Sequence, residues 1–209
     1  KKFLKKNNDF QVLYALGVTN LTLKDYIEAE KFFRSIISLK PNAENYYIYG
    51  NIQKQLKNYN EASEYFLKAI NLKSDYSEAF NNLGNTKFRL GFIDEAVKNY
   101  KKAIKFNKKN FPAYFNLAHA YSEEKNFDDL KKVLQDVLKI DENNTTALND
   151  LGYLNLILGN VDEGRKLFEK VINIDDKHIR AFKNYFLITK VEKDKKFLKK
   201  LEKLDLSKA

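Results

Sequence analysis

The sequence predicts an all-α chain, a solenoid of antiparallel helix pairs. Three observations carry that expectation. Only two Pro and seven Gly occur in 209 residues, so few positions break a helix. A Leu-Gly pair, or Leu-Ala in one case, recurs with its surroundings every 34 residues, from Leu83-Gly84 to Leu117-Ala118 to Leu151-Gly152, and a fixed period of this size marks a repeat architecture. Each period also holds two apolar stripes at helical spacing, split by a turn such as Leu90-Gly91-Phe92.

The elements follow in register. Residues 1–9 read as the end of a preceding helix or an N-terminal cap. The first copy, 10–42, has Leu13, Leu16-Gly17, Ala29, Phe33 and Ile36, and closes at Pro41. The second, 43–76, has Tyr46, Tyr49-Gly50, Ala62, Phe66 and Ala69. The third, 77–110, has Phe80, Leu83-Gly84, Ala96, Tyr100 and Ala103. The fourth, 111–144, has Tyr114, Leu117-Ala118, Leu130, Leu134 and Val137. The fifth, 145–178, has Leu148, Leu151-Gly152, Gly164, Phe168 and Val171. Small residues such as Gly84 and Ala96 let the two helices of a pair approach closely. Leu130 and Gly164 depart from Ala at that position, so looser or tilted packing is expected in the fourth and fifth copies. One hairpin cannot bury both its faces, so the copies must stack. Residues 179–209 read as a partial sixth copy, with Phe186 in place of Gly, and a basic C-terminal capping helix whose Phe197, Leu198, Leu201 and Leu204 share one face.

Five concordant copies of aromatic-x-x-Leu-Gly followed by Ala-x-x-x-aromatic resemble the tetratricopeptide repeat family. The resemblance implies a right-handed α-α superhelix whose first helices line a concave groove. Most of the 13 Tyr and 16 Phe then fall on packing positions.

Composition narrows the chemistry. Without Cys there is no disulfide, thiolate ligand or cysteine nucleophile. No phosphate-binding glycine loop, dinucleotide fingerprint or nucleophile elbow is present. His119 and His178 lack paired ligands, so no metal and no cofactor is expected. The acidic pairs Asp94-Glu95, Asp128-Asp129 and Asp162-Glu163 open each second helix, where acids favour the positive end of the helix dipole. The chain is therefore not expected to be an enzyme. No apolar run reaches the length of a membrane span, and the expected location is cytoplasmic. The first residue is Lys, so the sequence reads as a fragment whose natural start lies upstream, where a removed signal remains open. The net charge is +10. Residues 1–9 hold four Lys and one Asp, and residues 177–209 hold eleven Lys/Arg and four Asp/Glu, so residues 10–176 carry 23 of each sign. A nucleic-acid groove would be basic along its length, so nucleic acid is not the expected partner.

The family resemblance assigns groove-facing positions. The candidate peptide-binding residues are Asn51, Lys54, Asn81, Asn82, Asn85, Arg89, Asn116, His119, Asn149, Tyr153 and Asn184. One position per copy reads Ile48, Asn82, Asn116, Asp150, Asn184. An amide both donates and accepts, so a row of Asn can pair with an extended peptide backbone. This resembles the asparagine ladder in the repeat domains of O-linked N-acetylglucosamine transferases, with Ile48 and Asp150 as breaks. The ladder reading expects Asn82→Ala with Asn116→Ala to weaken a bound peptide with little loss of thermal stability. The other reading has each Asn bonding a neighbouring helix. The carboxylate clamp of chaperone adaptors needs cations that this register lacks, so no clamp of that kind is expected. Tyr47, Phe115 and Tyr153 either form pockets for apolar side chains or pack on adjacent helices.

The expected function is a protein-interaction scaffold that binds an extended peptide segment in the concave groove. The alternative is the recruiting portion of a larger bacterial enzyme. The segment 181–204 resembles the stretch that follows the repeats in repeat-containing sulfotransferases, whose catalytic domain would lie beyond Ala209.

Overall fold

The computed structural model describes residues 2–189, with side chains from residue 10 onward. Among them are eleven α-helices and no strand. In order they are α1 (Lys2–Thr22), α2 (Tyr26–Leu39), α3 (Ala43–Gln55), α4 (Tyr59–Leu72), α5 (Ser77–Arg89), α6 (Ile93–Phe106), α7 (Phe111–Glu123), α8 (Phe127–Ile140), α9 (Thr145–Ile157), α10 (Val161–Ile174) and α11 (Ile179–Ile188). Helices α1 to α10 are the first and second helices of the five copies. The backbone of residues 2–9 continues unbroken into the first helix of the first copy. The expected capping helix lies outside the described residues, as does most of the segment that resembles sulfotransferases.

The chain forms two compact units, residues 1–120 and 121–209. In the first, one core cluster joins Ala29, Phe33 and Ile36 of α2 to Tyr49 and Ile52 of α3. A second joins Phe66 and Ala69 of α4 to Phe80 and Leu83 of α5, Ala103 of α6 and Ala113 of α7. In the second unit, Leu148 of α9, Phe168, Val171 and Ile172 of α10, and Phe182 and Tyr185 of α11 form the core.

The Leu-Gly signature has a direct steric cause. A Cβ on Gly17, Gly50, Gly84 or Gly152 would lie 2.6–2.8 Å from the ring of Phe33, Phe66, Tyr100 or Phe168. Each glycine is the floor on which the second helix's aromatic ring rests. In the fourth copy Ala118 stands at the glycine position and the ring is replaced by Leu134, which is fully buried. Gly164 corrects the expectation of looser packing in the fifth copy. A Cβ there would lie 2.8 Å from Leu156 and 2.9 Å from the Gly152 carbonyl oxygen, so losing the methyl has drawn the pair closer.

The helix ends follow local chemistry. The turn inside each hairpin places one residue at positive φ: Lys24, Lys57, Gly91, Lys125 and Gly159. Asp94-Glu95, Asp128-Asp129 and Asp162-Glu163 lie in the first turns of α6, α8 and α10. A recurring cap closes the junction between copies, with Asn42, Asn110 and Asn144 accepting from the backbone N–H of Asn45, Ala113 and Ala147. His178 takes the same place, its Nδ1 accepting from the Ala181 N–H at 3.1 Å.

Candidate functional site

In the first unit the row position is tied into a bonded network between helices. Asn82 of α5 donates to the Asn51 Oδ1 at 2.7 Å and to the Tyr47 hydroxyl at 3.2 Å, both on α3. Its own Oδ1 accepts from the Lys54 ammonium at 3.3 Å. Asn116 of α7 donates to the Asn81 Oδ1 at 2.9 Å, and Asn81 is buried. In the second unit Asn184 of α11 donates to the Asn149 Oδ1 at 3.2 Å, and Asn149 donates in turn to the Asp150 carboxylate at 3.2 Å. Every Asn of the row bonds the preceding copy, which is the second of the two readings that the sequence leaves open. A residue with one donor and one acceptor end can bridge two helices as readily as it can hold a peptide.

Asp150 is where the row carries a charge. Burial pushes its carboxyl above the usual range, and the Asn149 hydrogen bond, Arg180 and His178 offset that only in part. Of the three large side chains expected at groove positions, Tyr47 packs, its ring 4.9 Å from Tyr76 and 6.0 Å from Phe66. Tyr153 is 51% exposed.

Five of the sequence-predicted residues come together around a cleft in the first unit. Lys54 of α3, Asn85 and Arg89 of α5, and Asn116 and His119 of α7 line a volume of about 410 Å³. Phe88 lies beside them, its ring centroid 5.1 Å from that of His119. Asn51, Asn81 and Asn82 are not among the residues that line it and bond within the helix network, and Asn149, Tyr153 and Asn184 belong to the second unit. Sequence reasoning missed Gln55, Tyr59 and Tyr100, which also line the cleft. Tyr100 holds the repeat's aromatic packing position, and its ring does pack on Gly84. Its hydroxyl reaches the cleft side and donates to the Asn85 Oδ1 at 2.9 Å. Burial raises the Tyr100 phenol far above its ordinary value, so it stays protonated and remains a donor. The signal was the hydroxyl itself: Phe33, Phe66 and Phe168 fill the same position without one.

Electrostatically the cleft is one-sided. Among the described residues no Asp or Glu lines it. Desolvation holds the Lys54 ammonium below the usual lysine range, and its bond is to an amide, not a carboxylate. Because Asn85 Oδ1 is engaged by Tyr100, its amide N–H groups are the ends left to a ligand. Among the described residues no group of three or more His, Asp or Glu could hold a metal ion, and no helix is long and apolar enough to cross a membrane.

Comparison with known proteins bears on the fold and the family. A family model described as "TPR repeat" matches residues 50–91 and 84–124, and one described as "Tetratricopeptide repeat" matches 10–42, 111–144 and 145–178. No curated protein matches in sequence. Among solved structures, the MamA protein is 22% identical over 82% of this chain and 94% of its own, with a TM-score of 0.70. YrrB, described as a TPR protein with an unusual peptide-binding site, is 21% identical over 80% of this chain and 87% of its own, with a TM-score of 0.63. The pilF protein of Pseudomonas aeruginosa is 16% identical over 91% of this chain and 87% of its own, with a TM-score of 0.74. At these identities the likeness is one of fold.

Proposed function

The chain belongs to the tetratricopeptide repeat family, and from that premise we propose that it is a non-catalytic protein-interaction scaffold which binds an extended peptide segment along the first helices of its copies. The observation that carries the reading is the cleft across α3, α5 and α7. It draws polar side chains from three helices into one volume, and it is large enough for a few peptide residues. That a protein of the same fold, YrrB, is described as having a peptide-binding site is in keeping with it. The contacts assigned to the peptide are Lys54, Asn85, Phe88, Arg89, Asn116 and His119. Asn51, Asn81 and Asn82 hold the wall in shape.

The test uses a library of random ten-residue synthetic peptides, attached by their N-termini to beads and offered to the purified chain. Selective capture of a subset is expected. Phe88→Ala with His119→Ala should abolish it, and Lys98→Ala on the exposed side of α6 should leave it intact. Capture of no peptide, or capture indifferent to Phe88 and His119, would refute the groove reading.

A further inference from the structure

We propose that the outer face of α6 is a docking surface for an anionic lipid bilayer, separate from the groove. Four lysines of α6, Lys98, Lys101, Lys102 and Lys105, are all exposed, and their spacing puts them on one side of the helix. The buried residues of α6, Ala96, Tyr100 and Ala103, occupy the opposite side. Lys108 and Lys109 carry the charge into the turn beyond the helix and are also exposed. The acids of α6, Asp94 and Glu95, lie in its first turn, and Glu95 pairs with Lys87 at 2.9 Å. From residue 96 to residue 122 the sequence has no Asp or Glu.

The other second helices show how this chain builds a merely solvated face. At the positions equivalent to the four lysines, α4 carries Glu64, α8 carries Asp136 and α10 carries Glu169. On α2, Lys31 and Arg34 pair with Glu28 and Glu30. Lys139 of α8 pairs with Asp136 at 2.7 Å, and Lys166 of α10 with Glu163 at 2.7 Å. Each of those faces is balanced by its own acids, and that of α6 is not. Its complement is a surface of opposite sign. Lysine is a compact point charge on a flexible stem, whereas Arg, with its planar fork, is the commoner reader of nucleic acid. Residues 93–122 contain no Arg. Phe106, four residues on from Lys102, is 43% exposed. It sets an aromatic ring at the flank of the lysine face, a pairing that suits the boundary between headgroups and acyl chains.

The test is co-sedimentation of the full chain with vesicles of phosphatidylcholine alone, or with about one third phosphatidylserine, a strongly anionic surface. Partition onto the phosphatidylserine vesicles is expected, falling as salt is raised. Lys98→Gln, Lys105→Gln and Lys109→Gln together should lower it about tenfold or more, since each lysine near such a surface adds to the attraction. All three are exposed, so the fold, checked by circular dichroism, should be kept. The chain's ends also hold lysines, so Lys199→Gln, Lys200→Gln and Lys203→Gln form the matched control and should lose far less. A loss in the control equal to or larger than that in the α6 variant would overturn the assignment to α6. Absence of partition, or partition that ignores phosphatidylserine, would overturn the proposal outright. A DNA duplex of random sequence, bound more tightly than the vesicles at the same salt and released by the α6 variant, would overturn the lipid reading in favour of nucleic acid. None of these outcomes bears on the groove reading, which the bead library decides by itself.

Discussion

Asn82 uses both its donor and its acceptor on α3, so its role is now stated in bonds. Truncating it would strand the Asn51 carbonyl, the Tyr47 hydroxyl and the half-buried Lys54 ammonium together. Asn82→Ala is therefore expected to lower the stability of the first unit by roughly 1–3 kcal/mol, the cost of leaving such groups unpaired. Asn116→Ala removes one such bond and should cost about 1 kcal/mol. Urea unfolding of both variants would measure this. Wild-type stability in Asn82→Ala would show that the network does not hold α3 to α5, and would favour the ladder reading, the other of the two that the sequence leaves open. Asp150 gives a second residue-scale prediction. Its folded-state pKa is raised, first by desolvation. Its neutral form is thus favoured in the fold. The stability linked to it is fully present below the unfolded carboxylate pKa and is lost as pH rises through the folded value. Asp150→Asn keeps the shape and the Asn149 contact without the charge. It should raise the melting temperature at pH 7 by a few degrees, on the order of 1 kcal/mol, and the gain should vanish near pH 3. A gain independent of pH would point to a packing effect instead.

At the scale of the helix pair, much was legible in advance. The period, the two stripes and the acids of the first turns all come from residue types with one strong preference each, so spacing alone locates them. The glycine-to-ring contact was legible as a pattern but not as a distance, and Gly164 shows the consequence. A missing methyl reads equally as slack or as closer approach, and only the backbone at 2.9 Å decides. The amides were least legible, because Asn suits a cap, a bridge or a ligand contact. Asn42, Asn110 and Asn144 recur at copy junctions and could have been read as caps from that recurrence. The chain also contains its own control for the ring contact, since Ala118 pairs with Leu134. Gly152→Ala should cost about 1–3 kcal/mol by driving a methyl into the Phe168 ring. Phe168→Leu should itself destabilise by about 1 kcal/mol. The double variant should be more stable than the sum predicts, and a double-mutant cycle measured by urea unfolding would give the coupling. Additive costs would mean that the glycine serves something other than the ring.

At the scale of the molecule, the repeat family and the all-α fold were legible because the same packing residues recur, whereas the division into two units was not, because the period runs through residue 120 without interruption. Stacked repeats take their stability from nearest neighbours, so position in the stack should set local stability. Within the first unit, α5 has neighbours on both sides, and Ala79, Phe80, Leu83 and Thr86 are almost wholly buried. Helix α1 has them on one side among the described residues, and leaves Val12 57% and Leu16 43% exposed. Opening α1 therefore exposes less new apolar surface than opening α5, and less surface means a smaller opening free energy. Amide hydrogen exchange should be at least about tenfold faster for residues 12–22 than for residues 80–89, with the α5 amides exchanging only when the flanking helices also open. Exchange read by mass spectrometry on peptides from those two segments would measure the gradient. Equal protection in α1 and α5 would mean that the first unit unfolds as a single block, and that its stability is not a sum over neighbouring copies.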